Sequence, residues 1–330
     1  MNESVGIIFI AFAGFLLAVY LHHKKKRKNE PFICPLRGNC TEVMHSDYSK
    51  FLGIPVEVLG MVYYALLAVG HGLSLVNIGE GWIDALLLLV SSSAFLFSLY
   101  LTSVQVFTLK KLCTWCLLSA LFCLSIFTLS LISFTDIVVP LLFHYQSVLD
   151  GLHLFAVGLG TGIATTTTVF FYQFLRDGRI SEDESRILSV LFELGWVSLG
   201  LLLIFSWSMF LSDPLWLLHI SVFTGEFLAS LGVILGTGFL TLKVIPKLYL
   251  ISSGQDHVHR DGEVLLARKR IFMVGPVSLV SWYLTFLLSL FPDTFSIPFE
   301  FILIGYLSIL LFSATLGYLI YSRLILPRNA

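Results

Sequence analysis

Long apolar runs separated by short polar segments dominate the chain. The first run extends from Val5 to Tyr20, and further runs fall at about 56–76, 82–107, 112–134, 150–175, 188–212, 215–245, 271–291 and 298–325. An α-helix needs about 20 mostly apolar residues to cross a bilayer, and most of these runs reach that length. No segment alternates like the strands of an outer-membrane barrel, so helices are the remaining way to satisfy the backbone in lipid. The pattern predicts about nine spanning helices.

The polar breaks divide these helices into two groups. The segment 135–150, which contains Pro140, separates the first four helices from about five others. Hydrophobic residues make up 57% of the 330 positions and charged residues 12%, about half the charged fraction of a soluble domain. We therefore predict an all-α integral membrane protein, with one domain at 1–140 and a second multi-pass domain of unknown function at 141–330.

The lysines and arginines fall on one side of the predicted helices. The loops on that side carry all 20 of them, and the opposite loops carry none. The cluster 24–28 follows the first apolar run instead of preceding it, which predicts an uncleaved spanning helix rather than a signal peptide. Short cytoplasmic loops are enriched in Lys and Arg, so the bias predicts that the loops beside the cysteines are cytoplasmic and that Met1 is outside. An extracytoplasmic site is the alternative, because cytosol keeps thiols reduced.

Two cysteines with CxxC spacing open the fourth predicted helix. Cys113 and Cys116 are three residues apart, which places both sulfurs on one helix face. Unsatisfied N–H groups in a first helical turn favour the thiolate, the species that attacks a disulfide. The spacing favours redox chemistry over two packing cysteines or a static disulfide. Cys123 lies seven residues after Cys116, about two helical turns further along. It has no partner and is interpreted as a small buried apolar residue.

A second cysteine pair lies in the loop after the first helix. Cys34 and Cys40 flank five residues that include Pro35 and Gly38, a composition that allows a small ring to close. A loop disulfide can be purely structural. Two pairs at the same membrane edge favour a relay, since each exchange needs a thiolate and an accessible disulfide. A zinc site built from the four cysteines is disfavoured because one pair lies within a spanning helix, and we predict no metal.

The order of these motifs resembles the vitamin K epoxide reductase family, most closely its bacterial and archaeal members. The resemblance covers about residues 1–140. It depends on the loop pair, a following serine, a Gly-x-Pro turn, a Leu-Gly pair and the CxxC of the fourth helix: Cys34, Cys40, Ser46, Gly53–Pro55, Leu59–Gly60, and Cys113–Cys116.

The resemblance implies a four-helix bundle around a quinone, with Ser46 close to the reacting groups. By the same resemblance, Cys116 is the thiol that faces the quinone, Cys113 exchanges with Cys40, and Cys34 and Cys40 take electrons from a thioredoxin-like protein. It thus implies a quinone-dependent thiol–disulfide oxidoreductase that supports disulfide formation.

The quinone is expected to be ubiquinone or menaquinone. The human enzyme of that family has a tyrosine four residues after its CxxC where this chain has Ala120, so vitamin K epoxide is not the expected substrate. The expected partners are a thioredoxin-like protein as electron donor and membrane lipid, and no nucleic acid is expected.

The second half contains ionisable residues inside predicted spans. His153, His219 and Glu226 are candidates because intramembrane ionisable groups are costly. Glu226 follows His219 by two helical turns, so the two share a face. Haem or metal ligation by His153 and His219 is one interpretation, and structural histidines are favoured over it. A transporter, or an assembly scaffold with a structural or regulatory disulfide cluster, is the alternative function.

Overall fold

Helices form nearly all of the chain that the structure describes. The structure is a computed structural model, and it describes residues 2–26, 34, 38–76, 81–174, 182–212, 221–244, 263–291 and 297–324. Within these ranges nine helices are long and apolar enough to cross a membrane. The prediction of an all-α membrane protein is therefore confirmed. The chain forms two compact units, Met1–Gln146 and Ser147–Ala330.

The first unit is built from four long helices and a short one. They are α1 (Asn2–Lys26), the short α2 (Cys40–Met44), α3 (Val56–Leu75), α4 (Trp82–Ser103) and α5 (Thr114–His144). Helix α1 packs along α3 and α5, and α4 packs along α5. Ile7, Tyr64, Leu67 and Ile126 are fully or almost fully buried at the centre of this bundle. Apolar residues elsewhere on these helices face outward, as expected where lipid replaces water.

A tight turn connects α2 to α3. A 3₁₀ turn (Asp47–Ser49) leads into a two-stranded antiparallel hairpin, β1 (Lys50–Phe51) and β2 (Ile54–Pro55). Its two turn residues, Leu52 and Gly53, have positive φ angles of 49° and 81°, as a tight hairpin requires. Pro55 has φ −60° and directly precedes α3, a position where the missing N–H of proline has no cost.

The end of α4 is wider than an ordinary helix. Residues Val104–Leu109 form a π-helical segment, and Lys110 then adopts a left-handed conformation with φ 54°. The backbone N–H of Lys111 donates to the carbonyl of Gln105 (3.1 Å) and closes the segment. π-Helical turns occur frequently at functional sites. Here the segment leads directly to Cys113.

The described residues of the second unit form five further long helices. They are α6 (Gln146–Phe174), α7 (Glu182–Ser212), α8 (Ser221–Phe239, extended by a π-helical segment Leu240–Val244), α9 (Glu263–Ser289) and α10 (Phe299–Leu324). Helix α9 packs against both α8 and α10. Val157, Leu199, Leu202, Val233 and Trp282 form one buried cluster of this unit.

The segment predicted to separate the two groups of helices is itself mostly helical. Helix α5 continues through Pro140 to His144. A proline inside a helix removes one backbone hydrogen bond, and the surrounding apolar residues keep the segment helical. Most of 135–150 is therefore helix rather than loop.

Candidate functional site

The loop cysteines form a disulfide that is fixed against the start of α5. The Cα atoms of Cys34 and Cys40 are 5.7 Å apart. The backbone N–H of Asn39 donates to the carbonyl of Leu112 (2.9 Å), and Glu42 forms an ion pair with Lys111. These contacts hold the ring beside the second cysteine pair.

Gly38 allows this close approach. A Cβ atom at Gly38 would lie 2.8 Å from the Cys34 sulfur, 2.8 Å from Oγ1 of Thr114 and 3.0 Å from the carbonyl oxygen of Leu112. The Thr114 hydroxyl also lies 3.8 Å from the Cys34 sulfur, within reach of a weak hydrogen bond that the hydroxyl donates. Only a residue without a side chain fits between the disulfide and α5.

The CxxC cysteines occupy the first turn of α5 as free thiols. Cys113 is the residue that caps the helix, and its sulfur accepts a hydrogen bond from the backbone N–H of Cys116 (3.4 Å). The side chain of Gln105 in the π-helical segment accepts from the backbone N–H of Cys113 (2.9 Å). Hydrogen bonds thereby fix both the backbone N–H and the side-chain sulfur of Cys113.

The surroundings of Cys113 favour its thiolate. A hydrogen bond from the thiol of Cys116, and then backbone N–H groups of Cys116 and Trp115, outweigh the effect of burial and lower the pKa of Cys113 to about 7. The contribution of the backbone N–H groups is the predicted effect of unsatisfied donors at a helix start, and the larger contribution of the Cys116 thiol adds to it. At neutral pH a large fraction of Cys113 is therefore in the form that exchanges with a disulfide.

The two cysteine pairs form one cluster. Cys40 and Cys113 are buried together with Val43, and Cys34 and Cys116 pack against them. Cys40 is 1% exposed and Cys113 0%, whereas Cys34 and Cys116 are partly exposed. The cluster thus has a buried centre, where the two pairs meet, and two partly exposed cysteines at its edge.

Cys116 opens onto a large apolar cavity within the first unit. The cavity has a volume of about 480 Å³ and is lined mainly by aliphatic and aromatic side chains of α1, α3, α4 and α5. This size is within the range of cavities that hold organic ligands. Polar groups are few: Ser46, Tyr48, Glu57 and the two tyrosines Tyr63 and Tyr64 are among them. An apolar ring with two carbonyl oxygens, such as a quinone, fits this donor set.

Residues 5–131 match the vitamin K epoxide reductase family. This match confirms the resemblance that the cysteine and Gly-x-Pro motifs indicated, and it covers less than half of the chain. The family implies quinone-linked disulfide oxidoreductase chemistry in general. No solved structure matches the chain.

Of the residues carried over from the family by resemblance, Ser46 lies on the cavity wall. Its hydroxyl donates to the carbonyl of Val43 (2.8 Å), which closes the turn after α2. Ala120, at the position of the absent tyrosine, lines the same cavity. The side of the cavity near Ala120 therefore has a methyl group where a phenol would stand.

Several polar residues of the cavity were not singled out from the sequence. Tyr48 is one: burial, and then the charge of Asp47, raise the pKa of its phenol to about 12, so the hydroxyl stays a neutral donor. Tyr64 is another, with its hydroxyl 2.9 Å from Oγ of Ser119 and 3.6 Å from the sulfur of Cys123. Cys123 itself is buried and free, as the interpretation of a packing residue requires.

Glu57 is a further cavity residue that was not singled out from the sequence, although its position in a spanning helix marks it as a functional candidate. It is a carboxylate in the first turn of an apolar spanning helix, and such groups are functional candidates by default. Its side chain is 4% exposed and lies 3.1 Å from Nζ of Lys25 and 3.6 Å from Nδ1 of His22. Both partners come from the end of α1.

The ionisable candidates of the second unit pair with each other. Nε2 of His153 on α6 lies 3.5 Å from Oε1 of Glu226 on α8, and both side chains are largely buried. This contact agrees with the structural interpretation of His153. His219 lies outside the described residues. Among the described residues no group of three or more His, Cys, Asp or Glu side chains is arranged to hold a metal ion.

Proposed function

We propose that the first unit is a membrane thiol–disulfide oxidoreductase that passes electrons from a protein dithiol to a quinone. One arrangement carries the proposal: a loop disulfide and a thiolate-favouring CxxC share a buried cluster, and the outer CxxC sulfur faces an apolar cavity. A structural disulfide would need neither the neighbouring thiolate nor the cavity.

The accessible loop cysteine receives the electrons. A thioredoxin-like protein attacks Cys34, because Cys40 is buried, and the Cys34–Cys40 bond breaks with Cys40 as the leaving thiolate. The second thiol of the partner then displaces Cys34. The partner ends as a disulfide, and the loop pair holds two thiols.

The inner sulfurs pass the electrons on. Cys40 attacks the disulfide form of the CxxC pair at Cys113, and Cys116 leaves as thiolate. Cys34 next attacks the Cys40–Cys113 bond, which restores the loop disulfide and leaves the CxxC pair reduced. The structure corresponds in redox state to the product of this step, with Cys34–Cys40 oxidised and Cys113 and Cys116 free.

The quinone, ubiquinone or menaquinone, accepts two electrons and two protons when it is bound in the cavity. Cys116 is the cysteine of the CxxC pair that lines the cavity, so it is the residue that reacts with the quinone. The disulfide between Cys113 and Cys116 re-forms as those electrons leave. The cycle thus transfers the reducing equivalents of one protein dithiol and supports disulfide formation in the partner.

The distribution of basic residues supports a cytoplasmic position for this chemistry. The residues at the cysteine end of the first unit include Lys24, Lys25, Lys26, Lys110 and Lys111. Short loops rich in lysine and arginine are retained on the cytoplasmic side. An extracytoplasmic site is the alternative, which surface labelling distinguishes.

A comparison of two cysteine variants tests the proposed function. Purified protein in lipid is given reduced thioredoxin and a short-chain ubiquinone, and quinone loss is followed together with oxidation of the dithiol. We expect equal amounts of both in the wild type, no quinone loss with Cys116→Ala, and nearly normal rates with Cys123→Ala. Equal loss of activity in the two variants would show that cavity packing, rather than the Cys116 thiol, is what matters.

A further inference from the structure

A buried ionic cluster connects the cavity to the membrane surface. Glu57 lies on the cavity wall, and its carboxylate accepts a hydrogen bond from Nζ of Lys25 (3.1 Å). Nδ1 of His22 lies 3.6 Å from the same carboxylate. The side chains of Lys25 and His22 are 17% and 27% exposed, whereas that of Glu57 is 4% exposed. The three groups therefore lead from an apolar cavity toward solvent.

The ionic cluster lies close to the thiol that is proposed to react with the quinone. Cys116 lies within electrostatic range of both Glu57 and Lys25, and it shares the cavity wall with Glu57. A carboxylate is expensive to bury, and a surface ion pair would join α1 to α3 without that cost. The placement of Glu57 at the cavity, rather than at the lipid face or in solvent, is what calls for a functional explanation.

The proton balance of quinone reduction gives a functional explanation for the position of Glu57. Oxidation of a Cys113 thiolate and a Cys116 thiol to a disulfide releases two electrons and one proton. Reduction of a quinone to a quinol consumes two electrons and two protons. One further proton must therefore reach a quinone oxygen from another group of the protein, because the proton of Cys113 has already left to solvent.

We infer that Glu57 delivers this proton, and that Lys25 and His22 replace it from the membrane surface. The inference rests on the proposed function. In this step the S–S bond between Cys113 and Cys116 forms, and the quinone ring gains the electron pair. One oxygen takes the Cys116 proton, and the other takes a proton that the Glu57 carboxylate accepts from Lys25 or His22 and passes on. Lys25 or His22 then regains a proton from solvent, so charge and atoms balance.

The contact geometry suits a carrier better than a passive ion pair. His22 Nδ1 is buried and has no hydrogen-bond partner among the described residues, although it faces the carboxylate. A small movement of either side chain would bring the two within hydrogen-bond distance. Lys25 already donates to the carboxylate. Both neighbours are thus placed to exchange a proton with Glu57 from its solvent side.

The test compares Glu57→Gln with a matched carboxylate on the opposite end of α1. Glu3 is exposed and its carboxylate accepts a hydrogen bond from Ser133 (2.7 Å), far from Lys25 along the helix. Reduced thioredoxin and a short-chain ubiquinone serve as substrates. We expect E57Q to slow quinone reduction about 100-fold, as loss of a positioned acid does, and E3Q to have the wild-type rate. Glu57→Asp should recover a large part of the rate.

Two further measurements separate proton delivery from a structural role. Alkylation and mass analysis during turnover should show that the CxxC pair accumulates in the reduced form in E57Q, while reduction of the loop disulfide by thioredoxin is unchanged. The affinity for the ubiquinone, measured by quenching of tryptophan fluorescence, should also stay the same. A parallel loss of quinone affinity and rate, or a wild-type rate in E57Q, would overturn the inference.

Misfolding of E57Q and failure of the proposed function can each be told apart from failure of the inference. If E57Q leaves the Lys25 ammonium without its carboxylate partner and does not fold, the double variant K25M/E57Q removes both charges and carries the same expectations. A double variant with normal quinone reduction rejects proton delivery through Glu57. If the wild-type protein itself exchanges thiols but never reduces a quinone, the proposed function has failed instead.

Discussion

The thiol of Cys116 is the largest single reason why Cys113 holds a thiolate near neutral pH. Cys116→Ala removes this donor and leaves the backbone N–H groups of Cys116 and Trp115 in place. Burial of Cys113, which raises its pKa, is then opposed by the backbone donors alone. We expect the pKa of Cys113 to rise from about 7 toward its ordinary value of 9.0.

The size of the effect on exchange follows from these two pKa values. At pH 7 about half of Cys113 is thiolate in the wild type, and about 1% would be at the ordinary value, a roughly 50-fold loss. A thiolate of higher pKa is a stronger nucleophile, by about eightfold over this interval. The net exchange rate with a disulfide should therefore fall by about sixfold. In the wild type the rate should fall as the pH is lowered through about 7, because the thiolate is then protonated.

The assay is an ultraviolet titration of thiolate absorbance. The signal of Cys113 is obtained by subtracting the titration of a matched variant that also carries Cys113→Ala. Cys116→Ser is the control, because its hydroxyl can still donate to the neighbouring sulfur. We expect C116S to titrate at a clearly lower pH than C116A. If the two titrate together, the Cys116 side chain does not set the pKa of Cys113 and the argument fails.

Three further predictions concern the loop disulfide. In Cys34→Ala the thiol that resolves the relay is missing, so mass spectrometry of the non-reduced protein should show a peptide that joins Cys40 to Cys113; a Cys113–Cys116 bridge alone would count against the relay. After mild reduction of intact cells, a membrane-impermeant thiol reagent should leave Cys34 and Cys40 unlabelled, and labelling from outside would place the site on the extracytoplasmic face. Gly38→Ala should destabilise the protein by about 1–3 kcal/mol through overpacking, seen as a lower thermal unfolding temperature, whereas Gly72→Ala, which meets no atom within 4 Å, should not; equal effects would refute the close-approach argument.

The sequence by itself determined the features that depend on interactions between residues close together in the chain. Runs of apolar residues are long enough to span a bilayer whatever they pack against, so the helices were predictable. Proline is well tolerated just before a helix, where its missing N–H costs nothing, and Pro55 directly precedes α3. The first-turn position of the CxxC likewise followed from spacing and from the polar break before it. These features need no knowledge of distant residues.

Tertiary structure alone decided which side chains share a space. Lys25 and Glu57 are 32 residues apart, and no periodicity links them until α1 packs along α3. Gln105 reaches the N–H of Cys113 only because a π-helical segment ends α4. In the second unit helical spacing relates Glu226 to His219 on its own predicted helix, and only the structure shows that Glu226 contacts His153 on another helix. Contacts between helices depend on rotation and register, which the energy of the whole bundle sets and a single helix does not record.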